Sequence, residues 1–159
     1  MSKMGIHVRR MLPHDENAVF ELYREVVDDG GADPAGGAAT LEVFRQGWTH
    51  GREVFVGTEA DRVVGSFFVR SNFPAFAGHI AHSGYLVARS ARRRGIGRAL
   101  VADSLVRAAA LGYRAMMFNL VFADNPSRTL YESVGFTVIG RIPQARPGED
   151  ALIYWRSLP

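Results

Sequence analysis

Between His82 and Tyr131 this chain of 159 residues holds side chains and spacings that can do chemistry. Arg92-x-x-Gly95-x-Gly97 follows an apolar stretch ending in Leu86-Val87, and Ile96, Leu100, Val101, Leu105 and Ala108 then recur at helical spacing. Strand, basic glycine turn and helix start form an arrangement suited to a pyrophosphate. The first N–H groups of a helix lack intrahelical partners, and its dipole adds partial positive charge there. Gly95 and Gly97 let an anion approach the backbone, and Arg92, Arg93, Arg94 and Arg98 add charge around it. No Lys-Ser or Lys-Thr pair follows, so this is no nucleotide P-loop, and Leu100 stands where a dinucleotide fingerprint needs its third glycine. Two further groups suit recognition or proton transfer. His82 carries an imidazole, a group whose reference pKa of about 6.5 suits proton transfer near neutral pH, and Asn119 interrupts the apolar run Met116 to Phe122, where an unpaired amide is costly.

These residues need elements to hold them. Ile6 to Arg9 alternates and reads as a first strand at a sheet edge. Pro13 to Asp15 open a helix carrying Val19, Leu22, Tyr23 and Val26, and Gly30 to Gly37 reads as a linker, either a plain loop or a rim over a site. Thr40 is placed to cap a second helix through Trp48. Glu53–Gly57 and Val63–Val69 form a hairpin around Ala60-Asp61. Ser71 to Gly78 is an aromatic loop without periodicity. A strand from His79 to Val87 follows, with Gly84 marking a bulge or a close backbone approach. After the turn, a long helix ends near Gly112. Ala115–Phe122 reads as a strand buried on both faces in a parallel pair, completing a βαβ unit. Asn125, Pro126 and Gly135 bracket a short helix. Phe136–Ile139 and Ala151–Trp155 are the last strands, with Pro143–Asp150 as a polar loop between them.

Composition narrows the classes. A hydrophobic fraction of 47% with 22% charged residues is that of an ordinary globular chain, of a length for one domain. The net charge of +3 and pI near 9.7 are mildly basic, and arginines gathered in one turn favour a discrete phosphate ligand over nucleic acid. The absence of cysteine excludes disulfides, thiolate metal sites and a cysteine nucleophile. No histidine–acid spacing suggests a metal. No apolar run is long enough to span a bilayer and the N-terminus has no leader-like core, so a cytoplasmic location is the default expectation.

Arg92-x-x-Gly95-x-Gly97 after Leu86-Val87 resembles the acetyl-CoA signature of the GCN5-related N-acetyltransferase (GNAT) family. A second signature of that family is matched by Asn125, then Tyr131, then Gly135-Phe136. The element order β-α-α-β-β-β-α-β-α-β-β is the family's as well. The resemblance implies an α+β, three-layer fold: a single domain over 1–159, with a mixed sheet of about seven strands flanked by about four helices. It implies acetyl-CoA as co-substrate, held by the backbone at Leu86 and Val87, by Arg92, Arg93, Arg94, Gly95, Ile96, Gly97 and Arg98, and by Asn125 and Tyr131.

Amide formation from a thioester needs a neutral amine, a stabilised carbonyl oxygen and a protonated leaving thiolate. By the family's motif Tyr131 protonates the thiolate; the alternative is an aromatic packed against the sheet. Asn125 either caps its helix or bonds the reacting group, and both roles are open to it through different atoms. His82 is a catalytic or substrate-contacting candidate, and Asn119 a substrate-binding one; each could instead be a satisfied structural group. Asp124 is a distant candidate base, and Arg146 a candidate partner for a substrate carboxylate or a solvated loop charge.

The stretch Phe118 to Asn125 and the terminal Asp150 to Tyr154 are similar to the fungal N-acetyltransferases that detoxify proline analogues such as azetidine-2-carboxylate. Asn119 and Asn125 match two active-site asparagines of that branch, while His82 stands where a third would be. The expected reaction is acetyl transfer to the amine of a small molecule by direct attack in a ternary complex, with no nucleic-acid or membrane partner. Acetylation of a protein or aminoglycoside amine, and a non-catalytic acetyl-CoA sensor, are the alternatives. The resemblance also admits a homodimer, for which the sequence shows no interface.

Overall fold

The computed structural model describes residues 5–30 and 39–159. Its strands are β1 His7–Arg10, β2 Glu53–Glu59, β3 Arg62–Ser71, β4 Ile80–Val87, β5 Ala115–Phe122, β6 Thr137–Arg146 and β7 Glu149–Ser157. Its α-helices are α1 Glu16–Asp28, α2 Leu41–Phe44, α3 Ile96–Ala110 and α4 Arg128–Ser133. The element order is the expected one, and the strands form one mixed sheet in the order β1-β2-β3-β4-β5-β7-β6, with β1 at an edge. No helix among the described residues is long and apolar enough to cross a membrane. The chain forms two compact units, Met1–Val69 with Gly84–Asp103, and Arg70–Ser83 with Ser104–Pro159.

In the first unit, β2 and β3 turn at Ala60 (φ 49°) and Asp61 (φ 62°), two left-handed residues whose twist suits a tight hairpin. Asp15 closes the entry to α1 by accepting from the Leu12 N–H at 2.7 Å and from both terminal nitrogens of Arg9 at 2.7 and 3.0 Å. Thr40 Oγ1 accepts from Val43 N–H, as a capping threonine should. The helix expected through Trp48 is α only to Phe44 and widens to a π turn over Arg45–Thr49. That turn carries Trp48, whose Nε1 donates to the buried Ser66 Oγ at 3.2 Å and whose ring meets Phe68 edge-on at 4.9 Å. Phe55 stacks on Phe67 at 5.0 Å, and Phe44 packs against Phe20 and Tyr23. Each such pair adds about 1 kcal/mol beyond area burial. Residues 31–38 of the expected linker lie outside the described residues.

In the second unit β5 pairs in parallel with β4 at Ile80↔Ala115 and Ala81↔Met116, and antiparallel with β7. The register on β7 shifts between Phe118 and Val121, so β5 holds one extra residue, a bulge at Asn119-Leu120. Burial follows: Phe118 and Val121 are both buried, while Leu120 is 52% exposed. The expected loop 143–150 is instead mostly strand. β6 runs to Arg146 and β7 starts at Glu149, with Gly148 in the tight turn between them. Pro143 hid this in the sequence. It sits on an edge strand, in the irregular stretch between Ile142 and Arg146, where a missing N–H breaks no ladder bond. Ile96, Leu100, Val101, Leu105 and Ala108, the apolar stripe read from spacing, are all buried along α3.

Candidate functional site

Each unit positions its own set of candidate residues. Strand β4, whose residues divide between the units after Ser83, changes phase. Its buried positions are Ala81, Ser83 and Leu86, so strict alternation slips across Gly84 and Tyr85. A Cβ at Gly84 would stand 2.8 Å from Phe68 and 3.2 Å from Trp48, so the close backbone approach expected there is real. Ala88 N–H then donates to Val64 O at 2.8 Å, anchoring the exit from Leu86-Val87.

Arg89–Ala91 make a single 3-10 turn, and Arg93 (φ 62°) and Gly95 (φ 81°) adopt left-handed conformations that swing the chain into α3. The Ala99 N–H donates to Gly95 O at 3.1 Å, so the N–H groups of Gly95, Ile96 and Gly97 stand ahead of the helical ladder. A side chain at Gly95 would meet nothing within 4 Å, which leaves the backbone open from that side. The donor set fits an anion.

The arginines are less free than their number suggests. Arg92 and Arg89 both bind Asp29, at 2.7 and 2.8 Å, and Arg89 N–H donates to Glu25. Arg94 pairs with Glu59. Hydrogen bonds from Arg89 and then Arg92 hold the Asp29 carboxyl below its ordinary pKa, so both pairs stay charged at neutral pH. The exposed Arg93 pairs with no carboxylate among the described residues. Backbone donors, rather than a cloud of free arginines, are what this turn presents.

In the second unit one backbone carbonyl organises three side chains. Met117 O lies 3.1 Å from His82 Nδ1 and accepts from Asn72 Nδ2 at 3.3 Å. A carbonyl only accepts, so Nδ1 carries a proton, and whenever the ring is neutral its lone pair is on Nε2. Asn72 in turn exchanges two hydrogen bonds with Asn119, each 2.7 Å. Asn119 is thus an amide on a bulge, paired with Asn72 through one N–H and its oxygen.

Tyr131 sits on α4 with its ring 4.7 Å from that of Phe118, and the Phe118 ring lies 6.3 Å from the His82 ring. Its helix ends in a Schellman turn: Phe136 N–H donates to Tyr131 O, Gly135 N–H donates to Glu132 O, and Gly135 has φ 96°. The rings of Tyr131 and Phe136 touch across this turn, and Tyr154 borders the same phenol. Burial pushes the Tyr131 hydroxyl above its ordinary pKa, partly opposed by a hydrogen bond with Ser127, so it is a protonated phenol at neutral pH.

Asn125 does not directly cap α4, which begins at Arg128 with Ser127 before it. Its Oδ1 accepts from Ser127 N–H at 2.8 Å, closing a turn two residues on and delaying the helix. This leaves the Asn125 Nδ2 donor without a partner among the described residues. Asp124 and Arg146 bind each other at 3.1 Å, and Arg146 also holds Glu149 at 2.6 Å. A hydrogen bond with Glu149 and the charge beside it raise the Asp124 carboxyl.

Of the residues singled out in the sequence, His82, Asn119, Asn125 and Tyr131 fall in this second unit, and His82, Asn119 and Tyr131 share the surroundings of Met117 and Phe118. Leu86, Val87 and the turn Arg92–Arg98 belong to the first. Asn72 was missed, hidden in an aromatic loop. The signal for it was Asn119 itself, an amide in an apolar strand that had to find a partner.

The family model described as Acetyltransferase (GNAT) family matches residues 18–136. The N-acetyltransferase aca1 of Schizosaccharomyces pombe is 40% identical over 84 residues, 52% of this chain and 40% of that protein. Protein SPT10 of Saccharomyces cerevisiae is 28% identical over 83 residues, covering 52% of this chain and 13% of that one. The matched stretch is thus less than half the length of either curated relative. Among solved structures, a GCN5-related N-acetyltransferase from Kribbella flavida superposes with a TM-score of 0.87 at 33% identity, over 99% of this chain and 100% of that one. A phosphinothricin acetyltransferase from Sinorhizobium meliloti, solved with AcCoA, superposes at 0.81 over 98% of this chain and 89% of that one; at 23% identity it shares the fold alone. Fold and family match agree: the chain belongs to the GNAT family of acetyltransferases.

Proposed function

We propose that this chain transfers an acetyl group from acetyl-CoA to the amine of a small molecule, as a cytoplasmic enzyme with one catalytic domain over 1–159. The observation that carries the reading is the orientation of His82. With Nδ1 donating to Met117 O, the Nε2 lone pair is the basic atom, suited to taking a proton from an ammonium group directly or through a water. The N–H groups of Gly95, Ile96 and Gly97 hold the pyrophosphate, and the backbone at Leu86 and Val87 bonds the thioester arm. The donor of the acetyl group supplies an activated thioester carbonyl; the amine nitrogen bonds to that carbon as the carbon–sulfur bond breaks. The chain has no cysteine, so no cysteinyl acyl-enzyme forms, and direct attack by the amine is the simpler course.

The Tyr131 hydroxyl donates a hydrogen bond to the departing sulfur. A phenol with a raised pKa is a weaker acid than a thiol of ordinary pKa about 8.5, so its main effect is hydrogen bonding to the thiolate as charge develops. Asn125 Nδ2 is a second donor for the same region. The likeness to proline-analogue acetyltransferases supports an amino acid or cyclic imino acid as acceptor.

Thiol release from acetyl-CoA, followed over azetidine-2-carboxylate, hydroxyproline, common amino acids, polyamines, aminoglycosides and a peptide N-terminus, tests this. Turnover on the small amino or imino acids, lost in Asn119→Ala, supports the reading. Turnover confined to the peptide or the aminoglycosides replaces the substrate class. Binding of acetyl-CoA with no turnover on any amine points to a sensor. A homodimer, admitted by the family likeness, is tested by sedimentation.

A further inference from the structure

We propose that Asn72 is a positioning residue for acceptor recognition, fixing which face of the Asn119 amide is presented outward. The inference deepens the acetyl-transfer reading and rests on it. The argument runs through one carbonyl. Met117 O can only accept, so the Asn72 atom 3.3 Å from it is the nitrogen, which orients the Asn72 carboxamide. The same nitrogen donates to Asn119 Oδ1 and the Asn72 oxygen accepts from Asn119 Nδ2, both at 2.7 Å, so the orientation passes to Asn119.

Counting donors completes the case. Both N–H bonds of Asn72 Nδ2 are used, one on Met117 O and one on Asn119 Oδ1. Asn119 Nδ2 uses one on Asn72 and keeps the other, so Asn119 presents an N–H donor and cannot turn over without facing oxygen to oxygen and nitrogen to nitrogen. His82 Nδ1 shares the same carbonyl, so one group sets both the tautomer of the imidazole and the direction of the amide pair. Asn72 is itself held: its N–H donates to Ile80 O at 2.8 Å, and Ser71 Oγ donates to Gly78 O at 3.0 Å, closing the loop behind it.

The test is a double-mutant cycle read as kcat/KM for the amine, alongside calorimetric affinity for acetyl-CoA. Asn72→Ala is expected to raise the acceptor KM so that kcat/KM falls about tenfold, with acetyl-CoA affinity unchanged. Because Asn72 acts through Asn119, adding Asn72→Ala to Asn119→Ala is expected to cost nothing more. An unchanged KM in the single variant, or fully additive losses in the double, overturns the proposal. Asn72→Asp keeps the size but sets oxygen against both Met117 O and Asn119 Oδ1, and is expected to lose at least as much as Asn72→Ala. A second readout separates this proposal from the reaction. In a proton–nitrogen spectrum, the Asn119 side-chain amide signals are expected to shift in Asn72→Ala even where no amine is turned over. Unshifted signals overturn the pairing, whereas a wild type silent on every amine, with the shift present, overturns only the acetyl-transfer reading.

Discussion

The arginine turn and the asparagine–histidine cluster solve opposite problems. The stretch of Arg89 to Gly97 collects charge and then neutralises much of it: Arg92 and Arg89 are held by Asp29, and Arg94 by Glu59. What it offers an anion is largely backbone, insensitive to side-chain rotamers. The cluster around Met117 O works by direction, since His82 Nδ1 and Asn72 Nδ2 both turn to that carbonyl and Asn119 pairs with Asn72 amide to amide. A site read by charge tolerates displacement and responds to nearby charges. A site read by direction tolerates neither rotation nor replacement.

The largest expected effect attacks the backbone donors. Gly97→Asp places bulk and negative charge at the first turn of α3 and is expected to weaken acetyl-CoA by about a thousandfold in calorimetry, with helix content unchanged. Affinity within a few-fold of wild type would remove the turn from the site. Next, Tyr131→Phe is expected to lower kcat by about a hundredfold with little change in acetyl-CoA affinity. Since burial raises the Tyr131 phenol above its ordinary value of 10.0, it stays protonated through neutral and mildly alkaline pH. A loss of kcat between about pH 8 and 10 that vanishes in Tyr131→Phe would contradict that.

A smaller effect has the opposite sign. Asp29→Asn releases Arg89 and Arg92 and is expected to tighten acetyl-CoA about threefold at low salt, the gain fading as salt rises, while leaving the acceptor KM alone. A change in the acceptor KM instead would blur the contrast between the two regions. Smallest on activity is Asp15→Asn, expected within about twofold in both binding steps but with a lower melting temperature. Its hydrogen bond with Arg9 holds the buried Asp15 carboxyl below its ordinary pKa. That stabilisation is therefore present above the unfolded value of about 3.9 and is lost as pH falls through the folded one. A melting temperature that falls as steeply in acid for Asp15→Asn as for wild type would assign the effect elsewhere.

How much was legible depended on range. The element order, the α3 stripe and the bounds of β5 are local patterns, and the sequence carried them openly. The β6–β7 hairpin was not, because Pro143 and Gly148 imitate a loop wherever an edge strand can spare an N–H. In the candidate site, His82, Asn119, Asn125 and Tyr131 were named from type and motif, but their partners were not. Asp29 lies 63 residues from Arg92 in the chain, and Asn72 lies 47 from Asn119. Neither pairing leaves a periodic trace. Counting arginines therefore overstates the free charge of the turn, and nothing local marks Asn72 as a partner.

The extra residue in β5 has a consequence for anyone building variant libraries. Leu120 is half exposed and makes no side-chain hydrogen bond, so exchanging it for another residue should look harmless. Deleting it is a different edit. The ladder with β7 would close by one position, and either Phe122 would slide into the place of Val121 or Asn119 would be dragged into the paired register. A position that a substitution scan scores as dispensable would be among the least tolerant in a deletion scan, because what it contributes is a count.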